Sequence, residues 1–474
     1  MSRSKSLVKN TIIIFIGTIC TKLISFLLLP LYTYTLSASE YGIVDLLITL
    51  ISLISPIISL QISQGVFRNL IDYRNNVDKQ KKVISTSVNF LIVNSIIYFF
   101  IFLIISPLIK NDYKWFLAIT VIASVFSDLL LQISRGLGDN NSYSIAGVVT
   151  AIFTIICNVL FLVFLHMKVT GMLLGTLIGY IVGIIFIFFK LKLYKYVIIK
   201  KFDKTELKKL MKYSLPLVPN ALSWWIFNTS DRLIVSIILG LSFTGILSVS
   251  YKFSSIIILF YNIFDKSWCE SVILHIKDKD VETFFTKTFY AILKIFVSFS
   301  FCLLTLMPLL FKILVNSSFG ESYDLIPIII VASIFQVVVG LVSVVYAAND
   351  DTKSLANTAI YSSIVNLVIH LLLIKYIGIY AAVVSTLCSY LFFALYRSYD
   401  VNKRYIPIQL DRKFLIITLI ALMIVIYTYY SNLWIMKVFG FILAIAYTMI
   451  FNKETLLYVK NIIISKFKKK GCCL

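Results

Sequence analysis

Apolar residues along this chain gather into runs of about 18 or more, the length that crosses roughly 30 Å of hydrocarbon, with short polar turns between them. Fourteen runs can be drawn, with cores near 11–36, 41–65, 83–109, 115–131, 145–165, 171–189, 214–239, 245–264, 289–315, 324–348, 354–374, 377–396, 414–430 and 433–451. The pattern predicts an all-α integral membrane protein of about 14 transmembrane helices. The first run is too long for a cleaved signal sequence and no small-residue cleavage site follows it, so it reads as a retained helix.

Composition agrees with that class: 59% of residues are hydrophobic, 14% are charged and the mean hydropathy is +0.94, outside the mix of a soluble domain. Lysine and arginine collect on the cytoplasmic side of membrane proteins, which orients the spans. With both termini inside, 35 of the 44 Lys and Arg fall in cytoplasmic segments and only Lys110, Lys114, Lys168 and Lys375 outside. The expected location is therefore the cell membrane, multi-pass, with both ends cytoplasmic. The net charge of +22 becomes a topology signal and an attraction to anionic lipid headgroups. Because it is spread over many short loops, no nucleic-acid partner is expected.

The loops exclude several functions. Predicted outer loops are under about ten residues, and the longest inner ones, 190–213 and 265–288, are too short for a catalytic domain. A transporter rather than an enzyme is expected. No G-x-x-x-x-G-K-[ST] loop is present to drive pumping with nucleotide. His166, His275 and His370 lack ligand-like spacing, and the seven cysteines form no C-x-x-C. Neither metal nor cofactor is expected. The ending "KFKKKGCCL" is no prenylation box, because Gly471 stands where the cysteine would be.

Short stretches repeat. Lys168 and Gly171 map onto Lys375 and Gly378 at an offset of 207, Asp139 onto Asp350 at 211, and Ser144 onto Ser354 at 210. The predicted organisation is a six-helix bundle over 1–200, a linker over 201–213, a second six-helix bundle over 214–412, two additional helices over 413–451 and a basic tail over 452–474. Six spans is an even number, so both bundles enter the membrane in one direction, as in transporters whose halves rock about a central cavity. In the linker, Asp203 with Glu206 three residues later resembles a capping box. Leu207, Leu210, Met211 and Ser214 follow at helical spacing opposite Lys204, Lys208, Lys209 and Lys212, which predicts an amphipathic helix on the inner membrane surface.

The stretch "LKKLMKYSLPLVPNALSWWIFNTSDRLIVSIILG", then "TGILSVSYKFSS", resembles the start of the second half in polysaccharide-type (Wzx-like) flippases of the multidrug/oligosaccharidyl-lipid/polysaccharide exporter superfamily. The first half agrees through "LVKNTIIIFIGTICTKLISFLLLPLYTYTLSASEYGIVDL". The resemblance implies two pseudo-symmetric six-helix bundles around a V-shaped cavity, with two peripheral helices. It also implies an isoprenoid-pyrophosphate-linked oligosaccharide as substrate, carried from the inner to the outer leaflet. Membrane lipids, polysaccharide polymerase and glycosyltransferases are the partners it suggests.

Charges inside spans are the candidate site, since each costs several kcal/mol near the bilayer centre and normally faces a partner or a watery cavity. At 1.5 Å per residue Lys22 lies about 16 Å into the first span. Asp231 and Arg232 lie about 25 Å into the seventh and Lys252 about 10 Å from the outer end of the eighth, a similar depth. Asp231 and Arg232 point about 100° apart on a helix, so an Asp231 to Lys252 pair would leave Arg232 for another face. Lys22, Arg232 and Lys252 are candidates to cradle a pyrophosphate, against the plainer reading of ion pairs that fix helix packing. The resemblance places cationic substrate contacts in spans one, two and eight, where Lys22, Arg68 and Lys252 stand. Two of these are lysine, which is poorer than arginine at bidentate phosphate binding. Arg68 and Arg135, near inner span ends, are candidates for headgroup recruitment, with membrane-end anchoring as the competitor. Asp45 and Asp128, near span ends, are candidates for ion coupling. Trp224 and Trp225 in "SWW" are candidates to stack on sugar, although packing explains most such rings. Lys312 and Lys437 read as snorkelling or peripheral residues.

The combined expectation is a lipid-linked oligosaccharide flippase working by alternating access for cell-surface polysaccharide biosynthesis. A cation-coupled multidrug or metabolite antiporter of the same superfamily is the alternative, and a membrane scaffold for glycosyltransferases is a third class.

Overall fold

The computed structural model describes residues 26–109, 111–196, 202–349, 351–409, 411–453 and 457. These residues form helices joined by short turns, and twelve of the helices are long and apolar enough to cross a membrane. The first predicted span lies outside the described residues as far as 25 and then continues as α1, Leu29–Thr35. The seventh forms a helix, Leu217–Ile238, that is not among the twelve. Asn, Ser, Asp and Arg in its middle dilute an otherwise apolar run.

The helices used below are α2 Ala38–Ser59, α3 Ile62–Asp72, α4 Val77–Ile105, α5 Lys114–Gly136, α6 Asn140–Val159, α7 Lys168–Lys190, α8 Lys204–Ser214 and α9 Leu217–Ile238. They continue as α10 Leu241–His275, α11 Val281–Leu314, α12 Ser322–Ala348, α13 Thr352–Ile377, α14 Tyr380–Arg404, α15 Arg412–Tyr430 and α16 Trp434–Phe451. The chain divides into two compact units, 1–248 and 249–474, with the division inside α10.

In the first unit, Ser37 and Glu40 form a complete capping box that starts α2 by satisfying amides that have no partner within the helix. Helices α6 and α7 make a close hairpin. Gly175, Gly179 and Gly183 recur every fourth residue, so they share one face of α7. A Cβ on them would lie 2.0, 2.0 and 2.1 Å from side-chain oxygens of Asn158, Thr154 and Thr150. Small residues in this pattern let two helices approach where lipid offers no hydrophobic drive.

The linker corrects one expectation. Asp203 does cap α8, accepting from the amides of Thr205 and Glu206 at 2.8 and 3.2 Å. Those amide bonds, the Glu206 one foremost, hold its carboxyl below the usual carboxylate range. The other half of the box is replaced, because the Glu206 side chain accepts from Lys209 at 3.1 Å. The apolar face of α8 does not lie on lipid. It packs against α3 and α4, with Leu210 fully buried and Gly65 pressed against the Leu210 carbonyl. The Asp203 amide donates to Thr86 of α4 at 3.1 Å.

In the second unit the predicted inner loop 265–288 is largely helical. Helix α10 continues through His275 and α11 begins at Val281. Trp268 is 2% exposed and donates its indole N–H to the Leu341 carbonyl at 3.0 Å. The charges there end the apolar run without ending the helix. Helices α15 and α16 pack on each other and on α11.

Arg397, expected among inner-side charges, is buried in α14. Its guanidinium donates to Thr358 Oγ1 at 2.9 Å, to the Leu355 carbonyl at 2.8 Å and to Ser343 Oγ, and it lies 4.1 Å from the Phe393 ring centre. Five donors in a fixed fork suit this joining of α12, α13 and α14. Two turns on, Arg404 bridges Asp400 at 3.1 Å and Asp351 at 2.8 Å.

The helix starts recur at offsets near those of the repeated stretches, in a different register. Ala38 and Leu241 differ by 203, Val77 and Val281 by 204, Lys114 and Ser322 by 208, and Asn140 and Thr352 by 212, as do Lys168 and Tyr380. Asp139 and Asp351 are the equivalent caps, accepting from Ser142 and Ser354, while Asp350 lies outside the described residues. Lys168 opens a helix and Lys375 sits in the last turn of one, so that pair shares sequence surroundings without sharing a structural position.

Hydrogen bonds from Tyr405, at 2.7 Å, and from Ser354 hold Asp351 well below the usual carboxylate range. A carboxylate whose folded pKa is depressed contributes stability above its unfolded value, near 3.9, that is lost as pH falls through the folded value. Tyr405→Phe is expected to lower the thermal midpoint of detergent-solubilised protein at pH 7. The difference from wild type should narrow as pH is lowered through the carboxylate range, and a difference independent of pH would contradict this role.

Candidate functional site

Charges at membrane depth meet in the first unit where α2, α9 and the start of α10 come together. Asp45 is the eighth residue of α2, Arg232 lies six residues before the end of α9, and Ser248 is the eighth residue of α10. Each is therefore about 10 Å from its helix end on the side predicted to be outer. The Asp45 carboxylate takes Arg232 Nε at 3.3 Å and the Ser248 hydroxyl at 2.5 Å. Asp45 is 9% exposed, so it is a buried partner rather than an exposed span-end acid. Arg232, which the sequence left for another face of α9, turns to α2.

Backbone contact beside this pair is close because both helices carry glycine there. A Cβ on Gly42 would lie 1.9 Å from the Leu241 carbonyl oxygen, and one on Gly245 would lie 2.0 Å from that of Ala38. Gly42 precedes Asp45 by three residues and Gly245 precedes Ser248 by three. The stretches "GIVD" and "GILS" thus repeat at the offset of 203, and the paired acid and hydroxyl occupy equivalent positions in them. That repeat was available in the sequence and marks the contact better than the loop repeats do. Below it, Trp225 donates its indole N–H to the Thr49 carbonyl at 3.1 Å and lies 3.0 Å from Ser52 Oγ. Trp225 is therefore a tie between α9 and α2.

The other candidates fall into separate places. Asp231 is 4% exposed on α9. Trp224 is 49% exposed and packs edge-on to Phe227, so of the two tryptophans it presents the open ring. Lys252 lies on α10 just past the division between the units. Lys22 lies outside the described residues. Arg68 is exposed at the other end of the unit and pairs with Asp72 at 2.7 Å. Arg135 stacks on Phe67 at 4.5 Å and donates to Gln132 at 3.0 Å. Asp128 accepts from Ser63 at 2.6 Å. The structure brings Asp45, Arg232 and Trp225 to one junction, with Arg68, Arg135 and Asp128 elsewhere. Ser248, Gly42 and Gly245 are members of the junction that sequence reasoning missed.

An acid, a guanidinium and a hydroxyl shielded from water hold one another's charge and fix three helices in one arrangement. Removing one partner leaves a poorly compensated charge, costing about 1–3 kcal/mol for a partly buried pair, whereas removing both costs less than the sum. Asp45→Asn and Arg232→Gln are each expected to lower stability by that amount, and the double variant by clearly less than the two added. Denaturant unfolding of the purified protein measures this, and strict additivity would refute the coupling. Gly42→Ala forces the two backbones apart and is expected to destabilise by about 1–3 kcal/mol in the same assay.

Comparison with known proteins gives three findings. The family model for polysaccharide biosynthesis proteins matches residues 7–267. Among curated proteins no sequence match is found. Among solved structures, the fold is similar to a lipid II flippase, MurJ, in an inward closed conformation, with 17% identity and a TM-score of 0.68 over 96% of this chain and 100% of that one. It is also similar to an inward-facing multidrug resistance transporter of the MATE family, in the MOP superfamily, with 14% identity and a TM-score of 0.67 over 82% of this chain and 95% of that one. At these identities the structural likeness establishes the fold, a multi-pass helical membrane architecture shared by flippases and exporters. The family match spans more than half of the sequence, including both glycine motifs, the Asp45–Arg232 pair and Lys252, and on it the chain belongs to the polysaccharide biosynthesis protein family.

Proposed function

We propose that this protein is a flippase that moves isoprenoid-pyrophosphate-linked oligosaccharide from the inner to the outer leaflet by alternating access, in the assembly of cell-surface polysaccharide. The observation that carries this reading is the polysaccharide biosynthesis family match over 7–267. Physical features support it. The sequence places the cations Lys22, Arg232 and Lys252 at similar depths, suited to an anionic headgroup, with Arg232 paired to Asp45 in the conformation described, and the loops hold no catalytic domain. Two six-helix bundles, 1–200 and 214–412, rock about the cavity that holds the pyrophosphate, and the polymerase and glycosyltransferases act before and after transfer. Transfer of negative charge outward from a cell that is negative inside gains about 2.3 kcal/mol per charge per 100 mV, a drive that needs no coupled ion. The Asp45–Arg232 junction, closed around two glycines, has the character of a two-state contact that such a cycle makes and breaks.

The alternative, a cation-coupled antiporter, needs an acid available to a cation. Asp45 is paired with Arg232 and Ser248 in the conformation described, and the polysaccharide biosynthesis family match favours the flippase.

The test is the leaflet location of lipid-linked oligosaccharide in cells depleted of the protein. Accumulation on the inner leaflet is expected, restored to outer display by wild type. Lys22→Ala, Arg232→Ala or Lys252→Ala should restore it at least tenfold less well at equal protein level. Normal outer display without the protein, in cells with no second flippase, would overturn the assignment, and full rescue by all three variants would remove the cationic cradle.

A further inference from the structure

The second unit carries a cleft that the transport reading does not use. It lies where the start of α12 meets the end of α15 and the start of α16, beside the turns at 316–321 and 431–433, and it encloses about 300 Å³. The bias of lysine and arginine predicts that side to be outer. The size stands at the lower end of the range of small-molecule sites, about 300–1,000 Å³.

One wall is aromatic and rigid. Tyr323 and Tyr429 stack at 4.3 Å between ring centres, inclined by 19°. Their hydroxyls are tied crosswise: Tyr429 donates to the Tyr323 carbonyl at 2.7 Å, and Tyr323 to the Tyr429 carbonyl at 3.3 Å. Tyr430 packs edge-on against Tyr429 at 5.1 Å and donates to the Asp324 carbonyl at 2.8 Å. Tyr430 is 46% exposed, so the stack presents a fixed aromatic surface to the cleft it lines.

The rest of the lining includes polar, uncommitted side chains. The cleft is lined by Asp324, Asn432 and Lys437. Among the described residues none of these three side chains makes a hydrogen bond or an ion pair, and the carboxylate and ammonium do not pair with each other across the cleft. An acceptor, an amide able to donate and accept, and a donor are thus held apart around one volume.

We propose that this cleft is a saccharide-binding subsite, taking a neutral or N-acetylated sugar ring with its C–H face on Tyr430 and its hydroxyls toward Asp324, Asn432 and Lys437. A sugar is the ligand whose apolar C–H face and hydroxyls match the two kinds of lining, aromatic and polar. The electron-rich face of an aromatic ring attracts the polarised C–H bonds of one side. Hydroxyls on the other side can donate to a carboxylate and accept from an ammonium in the same pose. A phosphate group fits poorly, because the single lysine is offset by Asp324. An acyl chain would leave three polar groups without partners, which is unfavourable once water is excluded. Lys437, which reads from sequence as a peripheral snorkelling residue, becomes a ligand contact.

The experiment is saturation-transfer NMR on the full chain in nanodiscs, with N-acetylglucosamine, glucose, galactose and rhamnose as probes. Transfer to at least one sugar is expected, reduced at least fivefold by Tyr430→Ala and by Asp324→Asn and largely kept by Tyr430→Phe, with thermal midpoints reported for each variant. No transfer to any of the four sugars would overturn the subsite, as would transfer that survives both disruptive variants. Displacement of the sugar by inorganic phosphate would identify an anion site instead and overturn it equally. The readout is direct binding, so its failure leaves the transport reading standing, and failure of that reading leaves this one testable.

Discussion

A charge brought to membrane depth must be answered by another group, and the described architecture of the first unit is arranged around one such answer. Asp45 is shielded, and it is tolerable there because Arg232 arrives from α9 and Ser248 from α10. Ser248 stands close to it where Gly42 and Gly245 let α2 and α10 touch backbone to backbone. Larger residues at either glycine would separate the helices and leave the acid and the guanidinium poorly compensated, which is more expensive in hydrocarbon than in water. Glycine contact and ion pair are therefore one device.

The same constraint is met differently in the second unit. Arg397 is buried without a carboxylate, and its charge is spread over hydroxyls, a carbonyl and the face of Phe393. A guanidinium accommodates this because its charge is delocalised and its donors form a rigid fork, where a lysine ammonium would be held less well. The result fixes α12, α13 and α14 near the end that carries the Asp351, Asp400 and Arg404 cluster. By contrast, the Asp45 pair rests on one carboxylate, and a contact with a single central member is the kind that can open as a unit. That difference suits one junction to motion and the other to holding a bundle together.

The linker helix and the cleft at the start of α12 show how polar groups at the ends of spans acquire separate tasks. Helix α8 buries Leu210 against α3 and α4 while its lysines stay exposed, so the connection between the predicted halves is fastened to the first. The cleft beside α15 and α16 leaves Asp324, Asn432 and Lys437 without hydrogen-bond or ion-pair partners among the described residues, around a locked tyrosine stack. Helices α15 and α16 thus line this cleft as well as packing against α11.

Hydrophobic run length alone determined the class of this protein, because nothing but a helix satisfies its own backbone across lipid. The stretch from Leu207 to Lys252 carried the family, and the lysine and arginine distribution carried the expected orientation. Run length could not follow α10 and α11 past their apolar parts into 265–288, since Trp268 is buried there by protein and not by lipid. Nor could loop repeats give the register of the duplication, because turns lengthen freely while helix contacts do not. The sequence named Asp45, Arg232 and Trp225 as separate candidates with separate roles. Only the tertiary structure joined them, since the partners of a buried charge are chosen by which helices approach closely enough, and residues 45 and 248 stand 203 positions apart in the chain.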